Sequence, residues 1–211
     1  MVRTTIIFIL LAFFTGHHNV QIINNFVKPK IQDELEALFL SNNFPYFYIN
    51  EQSTPYEYNE EDKSTGEILL DANTVEAPQF FHMFVTDGNV NSQAYSNISP
   101  VINKVIDSID EDYFVYRCKV NMNLIDTRFE GKHHTPHIDN GFDDQITAIY
   151  YVNDSDGDTF FFDAAGKIEK RVTPKKGTLV MWKGKIFHAK ASPVKSLSRV
   201  VININLLPCK N

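Results

Sequence analysis

Apolar positions along the chain change their period near residue 112. Before it, two stretches repeat at helical spacing. In "IQDELEALFL" the residues Ile31, Leu35, Leu38 and Phe39 fall on one face, which predicts an amphipathic helix. In "SPVINKVIDSI" the residues Val101, Ile102, Val105, Ile106 and Ile109 do the same, and Ser99 and Pro100 are read as its opening. Three runs read as strands: "VQIINNFV" (20–27), "FPYFYIN" (44–50) and "FFHMFV" (80–85). After Asp112 the apolar runs become short and β-branched or aromatic: "YFVYRCKVNMNLI", "ITAIYYVN", "DTFFF", "GTLVMW" and "SRVVININL". Gly, Asp, Asn and Pro separate them, as in a sandwich or barrel. The pattern predicts a mainly β domain with flanking helices packed on a β core.

Two segments fit neither period. Residues 51–75 are acidic and polar, and are read as a long surface loop, with a lid as the sharper idea. Residues 1–18 carry an apolar run from Ile6 to Phe14, too short to span a bilayer. They are read as a leader or a signal segment, followed by one domain over 19–211. The expected compartment is the cytoplasm, with secretion as the alternative if residues 1–16 are a signal peptide. No membrane span is expected.

Length and charge narrow the classes. The chain of 211 residues suits one domain with a full core. Its formal net charge is −6 and it has no block of Lys or Arg, which argues against a nucleic-acid partner. Cys118 and Cys209 lack CxxC spacing and give no zinc or disulfide framework.

The candidate chemistry sits in "HHTPHID", residues 133–139. Pro136 excludes a regular helix through it, so a helical pair of His133 and His137 is not expected. In an extended segment His137 and Asp139 share a face and fill two adjacent positions on a metal. His188, after "GTLVMWKGKIF", is the candidate third ligand. Two histidines and one carboxylate make the facial triad of non-haem Fe(II) oxygenases, whereas closed zinc sites use four ligands. In "SRVVININL" alternation puts Arg199, Val201, Asn203 and Asn205 on one face. Val200, Ile202, Ile204 and Leu206 take the other. An Arg aimed into a barrel is costly unless it meets an anion, and a carboxylate matches its fork.

The ordered set of H-x-D at 137–139, "YYVN", "GDT", G-x-L-x-x-W, His188 and Arg199 resembles the Fe(II)/2-oxoglutarate-dependent dioxygenases, in their prolyl 4-hydroxylase-like branch. The likeness spans about residues 113–206. It implies a double-stranded β-helix, the jelly-roll or cupin-like core. His137, Asp139 and His188 would ligate Fe(II), and Arg199 would pair with the far carboxylate of 2-oxoglutarate. Tyr151 would hydrogen-bond that carboxylate, with Thr147 on the same strand face. O2 would be the oxidant, with succinate and CO2 formed as a substrate C–H bond is hydroxylated. A carboxylate at 139 argues for hydroxylation over halogenation. Gly157-Asp158-Thr159 stands where the branch has G-G-x-T.

Asn121, Asn123, Asn203 and Trp182 are further pocket candidates, with sheet polars and core as their plainer roles. His133 and His134 are read as loop residues beside the site, and His82 as a packed or surface histidine. Arg117 and Lys119 are read as solvated. The substrate is expected to be a protein side chain such as proline, an amino acid or a small metabolite. The alternatives are a non-catalytic cupin-like barrel sensing 2-oxoglutarate or metal, and a metal-dependent hydrolase or cofactor-free cupin dioxygenase.

Overall fold

The computed structural model describes residues 20–50 and 74–209. The leader expected over 1–18, His17, His18 and nearly all of the loop expected over 51–75 lie outside the described residues. Along the chain run β1 (Gln21–Ile23), α1 (Pro29–Phe39), β2 (Phe47–Ile49), β3 (Gln79–Thr86), β4 (Asn89–Val90), α2 (Tyr95–Ile106) and β5 (Tyr113–Leu124). A short 3-10 turn (Thr127–Phe129) precedes β6 (Ile146–Tyr151), β7 (Thr159–Phe162), β8 (Ile168–Val172), β9 (Leu179–Lys183), β10 (His188–Lys190) and β11 (Ser198–Pro208). Among the described residues no helix is long and apolar enough to cross a membrane.

Two antiparallel sheets face each other. The larger runs β1-β9-β6-β11-β5-β3-β2, with β4 on β3, and the smaller runs β10-β7-β8. This is the double-stranded β-helix. Register across the large sheet aligns side chains into rows. Phe81, Asn121, Val201 and Tyr151 form one row on the inner face. Met83, Lys119, Asn203, Ile149 and Val180 form the next. Arg117, Asn205, Thr147 and Trp182 form a third.

The opposite parity is apolar. Val120, Ile202, Tyr150 and Leu179 lie in one outer row, and Cys118, Ile204, Ala148 and Met181 in another. All eight are buried in the main core with Leu35 and Phe39 of α1 and Ile98, Val101, Ile102 and Val105 of α2. Each such aliphatic side chain contributes about 1.5–3 kcal/mol by leaving water. The helices thus close the outer face of the sheet, and the inner face is left for the site.

Two elements differ from the sequence pattern. Helix α2 begins at Tyr95, so Pro100 lies inside it and does not open it. The Ser99 hydroxyl donates to Ser96 O (2.8 Å), the carbonyl that a residue at 100 would otherwise bond. That satisfies the group which proline leaves free. Strand β8, "IEKRV", is mostly exposed and carries three charges, so it has no apolar run to betray it. Cys118 is buried and Cys209 exposed, both as free thiols.

Candidate metal and cosubstrate site

The "HHTPHID" loop is fastened to β10 through the backbone. His137 N donates to His188 O (2.9 Å) and His188 N donates to His137 O (3.0 Å). This reciprocal pair sets the two imidazoles side by side, with ring centroids 4.6 Å apart. Each ring is then turned by its own Nδ1. His137 Nδ1 meets Thr135 O at 3.2 Å and His188 Nδ1 meets Ile186 O at 3.0 Å. A proton on each Nδ1 makes these donations and leaves both Nε2 lone pairs free. Those Nε2 atoms each lie 3.9 Å from an oxygen of Asp139. One ligand atom from each of the three residues lies within 4.8 Å of the others. The separation leaves room for an ion between them.

Asp139 is held from behind. Arg117 Nη2 donates to Oδ1 (2.9 Å), while Asn203 Nδ2 (3.2 Å) and Asn205 Nδ2 (2.9 Å) donate to Oδ2. Arg117 Nε also donates to Asn205 Oδ1 (2.9 Å), which closes the network. Burial would raise the Asp139 carboxyl, but Arg117, then the two histidines and Lys119, hold it well below the usual carboxylate range. Burial first, then the neighbouring imidazole His188, pushes His137 down to about 3. His188 is lowered by burial as well. Neutral imidazoles beside a carboxylate are the protonation states that bind a cation.

Arg199 lies at the other end of the cavity, 1 % exposed. Its Nε donates to Gly157 O (2.7 Å) and its Nη2 to Thr159 Oγ1 (2.8 Å). The Tyr151 hydroxyl donates to the same Thr159 Oγ1 (2.7 Å), and the guanidinium carbon sits 5.7 Å from the Tyr151 ring centre. None of these bonds goes to a carboxylate. Gly157 makes the approach feasible, because a Cβ there would fall 2.5 Å from Ala191 O and 3.0 Å from Arg199 Cδ. Asn153 fixes the strand that carries Arg199. Its Oδ1 accepts from Val200 N (2.9 Å) and its Nδ2 donates to Ser198 O (3.0 Å).

The cavity between these ends opens to solvent. Asn121 and Asn203 line it, and Asn121 Oδ1 and Asn203 Oδ1 are buried without a partner among the described residues. Asn123 sits beside Arg199 in the sheet register, fully buried, with neither side-chain polar atom bonded. Thr147 is placed away from Arg199, where its hydroxyl accepts from Asn205 Nδ2 (3.2 Å). Trp182 is core, edge-on to both Phe161 and His188. His134 lines the cavity, whereas His133 packs on Phe160 and Phe162 behind the small sheet. His82 is packed, its ring nitrogens meeting Pro45 O and Ser92 Oγ.

Arg117 and Lys119 correct the reading of solvated charges. Both point into the barrel, because positions 117, 119, 121 and 123 share one face of β5. That parity was available in the sequence from Asn121 and Asn123. Lys119 and Lys190 line the same cavity as Arg199. Burial, then Arg117, lowers Lys119 to about 8, and burial, then Arg199 and Lys119, takes Lys190 well below the ordinary lysine range. Thr159, Asn153, Lys119 and Lys190 are the site neighbours that sequence reasoning missed.

The residues present fit Fe(II) with 2-oxoglutarate. Two imidazoles and one carboxylate are the donor set of a facial triad with open positions. A buried guanidinium without a carboxylate partner, and the unpaired asparagine oxygens, are what a polar anionic guest would satisfy.

A sequence model of the 2OG-Fe(II) oxygenase superfamily matches residues 122–207. No curated protein matches the sequence. Among solved structures, the chain is similar to a 2OG-Fe(II) oxygenase family oxidoreductase from Burkholderia pseudomallei. The TM-score is 0.62 at 12% identity, covering 89% of this chain and 84% of that one. It is also similar to the Trichoplax adhaerens prolyl hydroxylase in complex with a hypoxia inducible factor peptide fragment, with TM-score 0.57, 15% identity and coverage of 90% and 83%. A Pseudomonas putida prolyl-4-hydroxylase gives TM-score 0.54 at 15% identity, covering 92% and 94%. Over residues 122–207 the sequence thus matches the 2OG-Fe(II) oxygenase superfamily, and the described residues share the fold of solved proteins that carry that name.

Proposed function

We propose that the protein is an Fe(II)- and 2-oxoglutarate-dependent hydroxylase, with His137, Asp139 and His188 as the metal ligands. Arg199, Tyr151 and Thr159 are the anchor for the far carboxylate of 2-oxoglutarate. The observation that carries this reading is one cavity with two free imidazole lone pairs and a carboxylate at one end, and a carboxylate-free guanidinium at the other. When bound, Fe(II) and 2-oxoglutarate supply oxygen activation coupled to decarboxylation, with succinate and CO2 as coproducts. The chain supplies orientation and charge. The backbone pair between His137 and His188 fixes the angle of the two rings. Arg117, Asn203 and Asn205 keep Asp139 ionised and aimed. Arg199 offers its fork to an incoming carboxylate, and Thr159 holds both it and Tyr151 in place.

The substrate belongs to a protein side chain, an amino acid or a small metabolite. The likeness to prolyl hydroxylases supports proline-like side chains as the first to try. The test is anaerobic reconstitution with Fe(II) and then 2-oxoglutarate, followed by optical absorption. A weak visible charge-transfer band is expected in the native protein and absent in His137→Ala and Arg199→Ala. Succinate should form once oxygen is admitted. A band without succinate for any substrate would favour a sensor, and no band would overturn the reading.

A further inference from the structure

Among the described residues that line the cavity, Lys119, Lys190 and Arg199 are cationic and Asp139 is the one acid. A bound metal dication and a 2-oxoglutarate dianion cancel each other, so the surplus of two positive charges persists in the loaded site. Arg199 is accounted for by the cosubstrate and Asp139 by Arg117 and the metal. The two lysines are not. Lys190 Nζ donates to Gln79 Oε1, a neutral acceptor. Lys119 has no hydrogen-bond or ion-pair partner among the described residues, although it sits between Met83 and Asn203 in the sheet. They approach from opposite sheets, β5 and β10. Each is close to the metal position: Lys119 is paired with Asn203, which bonds Asp139, and Lys190 lies two residues past His188 on the same face. A chain of net charge −6 has gathered positive charge here, and among the described residues no carboxylate forms an ion pair with either lysine. Such a patch inside low-dielectric walls draws in anions.

We infer that the prime substrate carries an acid group, a carboxylate or a phosphate, which is held between Lys119 and Lys190 beside the metal. This rests on the oxygenase reading above and adds to it a substrate class: small acids, or an acidic residue whose end enters the cavity. A prolyl side chain would answer these ammonium groups only where an acid group accompanies it. The two lysines thereby become specificity determinants for the hydroxylated molecule, separate from the cosubstrate's Arg199.

The experiment titrates protein saturated with Ni(II) and 2-oxoglutarate, by calorimetry, with acetate, inorganic phosphate and acetamide, the neutral isostere of acetate. The expected result is one-to-one binding of an anion that weakens with salt, with acetamide at least tenfold weaker. Lys119→Met and Lys190→Met should each weaken the anion at least tenfold and change 2-oxoglutarate affinity less than threefold. Lys119→Arg should retain anion binding. The methionine variants remove a buried charge and keep its volume, so folding is expected to survive, and melting curves check it. Equal binding of acetamide, no anion binding, or anion binding that survives both lysine variants would overturn the inference. So would a tenfold loss of 2-oxoglutarate affinity in Lys190→Met, which would move that lysine to the cosubstrate. Failure of Ni(II) and 2-oxoglutarate themselves to bind would instead bring down the oxygenase reading beneath it. Preference for acetate or for phosphate tells the two acid classes apart.

Discussion

The two faces of strand β11 are built by opposite rules. Outward, Val200, Ile202, Ile204 and Leu206 are fully buried against helices α1 and α2. Inward, Arg199, Asn203 and Asn205 alternate with them, and Asn203 keeps an unbonded oxygen. The outer face lowers the free energy of folding by removing apolar surface from water. The inner face raises it, because charges and amides are desolvated with incomplete partners. One face of the strand serves stability and the other faces the site. The register is shared, so a one-residue slip would carry the guanidinium into the hydrophobic core and the isoleucines into the site.

The comparison can be broken by exchanging the effects of the two faces. The largest effect belongs to Arg199→Met. It should raise the 2-oxoglutarate Kd by about a hundredfold or more, as expected when one partner of a buried charge pair is truncated. The melting temperature should hold or rise, because the desolvated charge is gone. Calorimetric titration of the metal-loaded protein and a thermal melt measure both. Ile202→Ala should do the reverse. It should cost about 2–5 kcal/mol in urea denaturation and leave 2-oxoglutarate affinity within about twofold for the folded protein. If Ile202→Ala weakened the cosubstrate as much as Arg199→Met, the two faces would not be separable.

The smallest effect concerns pH and arises at His134, in the loop that lines the cavity. Burial pushes this imidazole down to about 4, against help from Glu76, whose carboxylate faces it at 3.4 Å. The cations facing His134 are Lys190 and Arg199, and both disfavour its protonation. Unfolded, the histidine takes its proton near pH 6.5. Between these values the unfolded chain binds more protons, so stability falls as pH is lowered from about 6.5 toward about 4. The slope from this residue is at most about 1.4 kcal/mol per pH unit. Urea denaturation of metal-free protein at pH 7 and pH 5 should show the loss, and His134→Gln should reduce it.

Much of this was legible in the sequence for physical reasons. The β-branched runs after Asp112 mark strands because they bury one or both faces, and the alternation in "SRVVININL" sets Arg199 and Asn203 together. The spacing of His137 and Asp139 in an extended loop put their side chains on one face. What stayed hidden depended on contacts between distant segments. Nothing near Asn153 says that its amide will grip the backbone on both sides of Arg199. The exposed strand β8 lacks an apolar signature. Lys119 and Arg117 look solvated by their charge alone, although the parity they share with Asn121 and Asn123 aims them into the barrel. Pro100 inside α2 depends on a hydroxyl one residue earlier.

The paired amides of His137 and His188 have a further consequence. These two hydrogen bonds form the seam where the loop that carries His137 and Asp139 meets the edge of the small sheet. Two of the three proposed ligand residues are therefore also the two sides of a fastening. Any local opening that parts the seam separates the imidazoles, and any ion that bridges them holds the seam shut. With an ion at the proposed site, its release and the fraying of this sheet edge would be one event, and the exchange of two backbone amide protons with solvent would keep time with the occupancy of the metal.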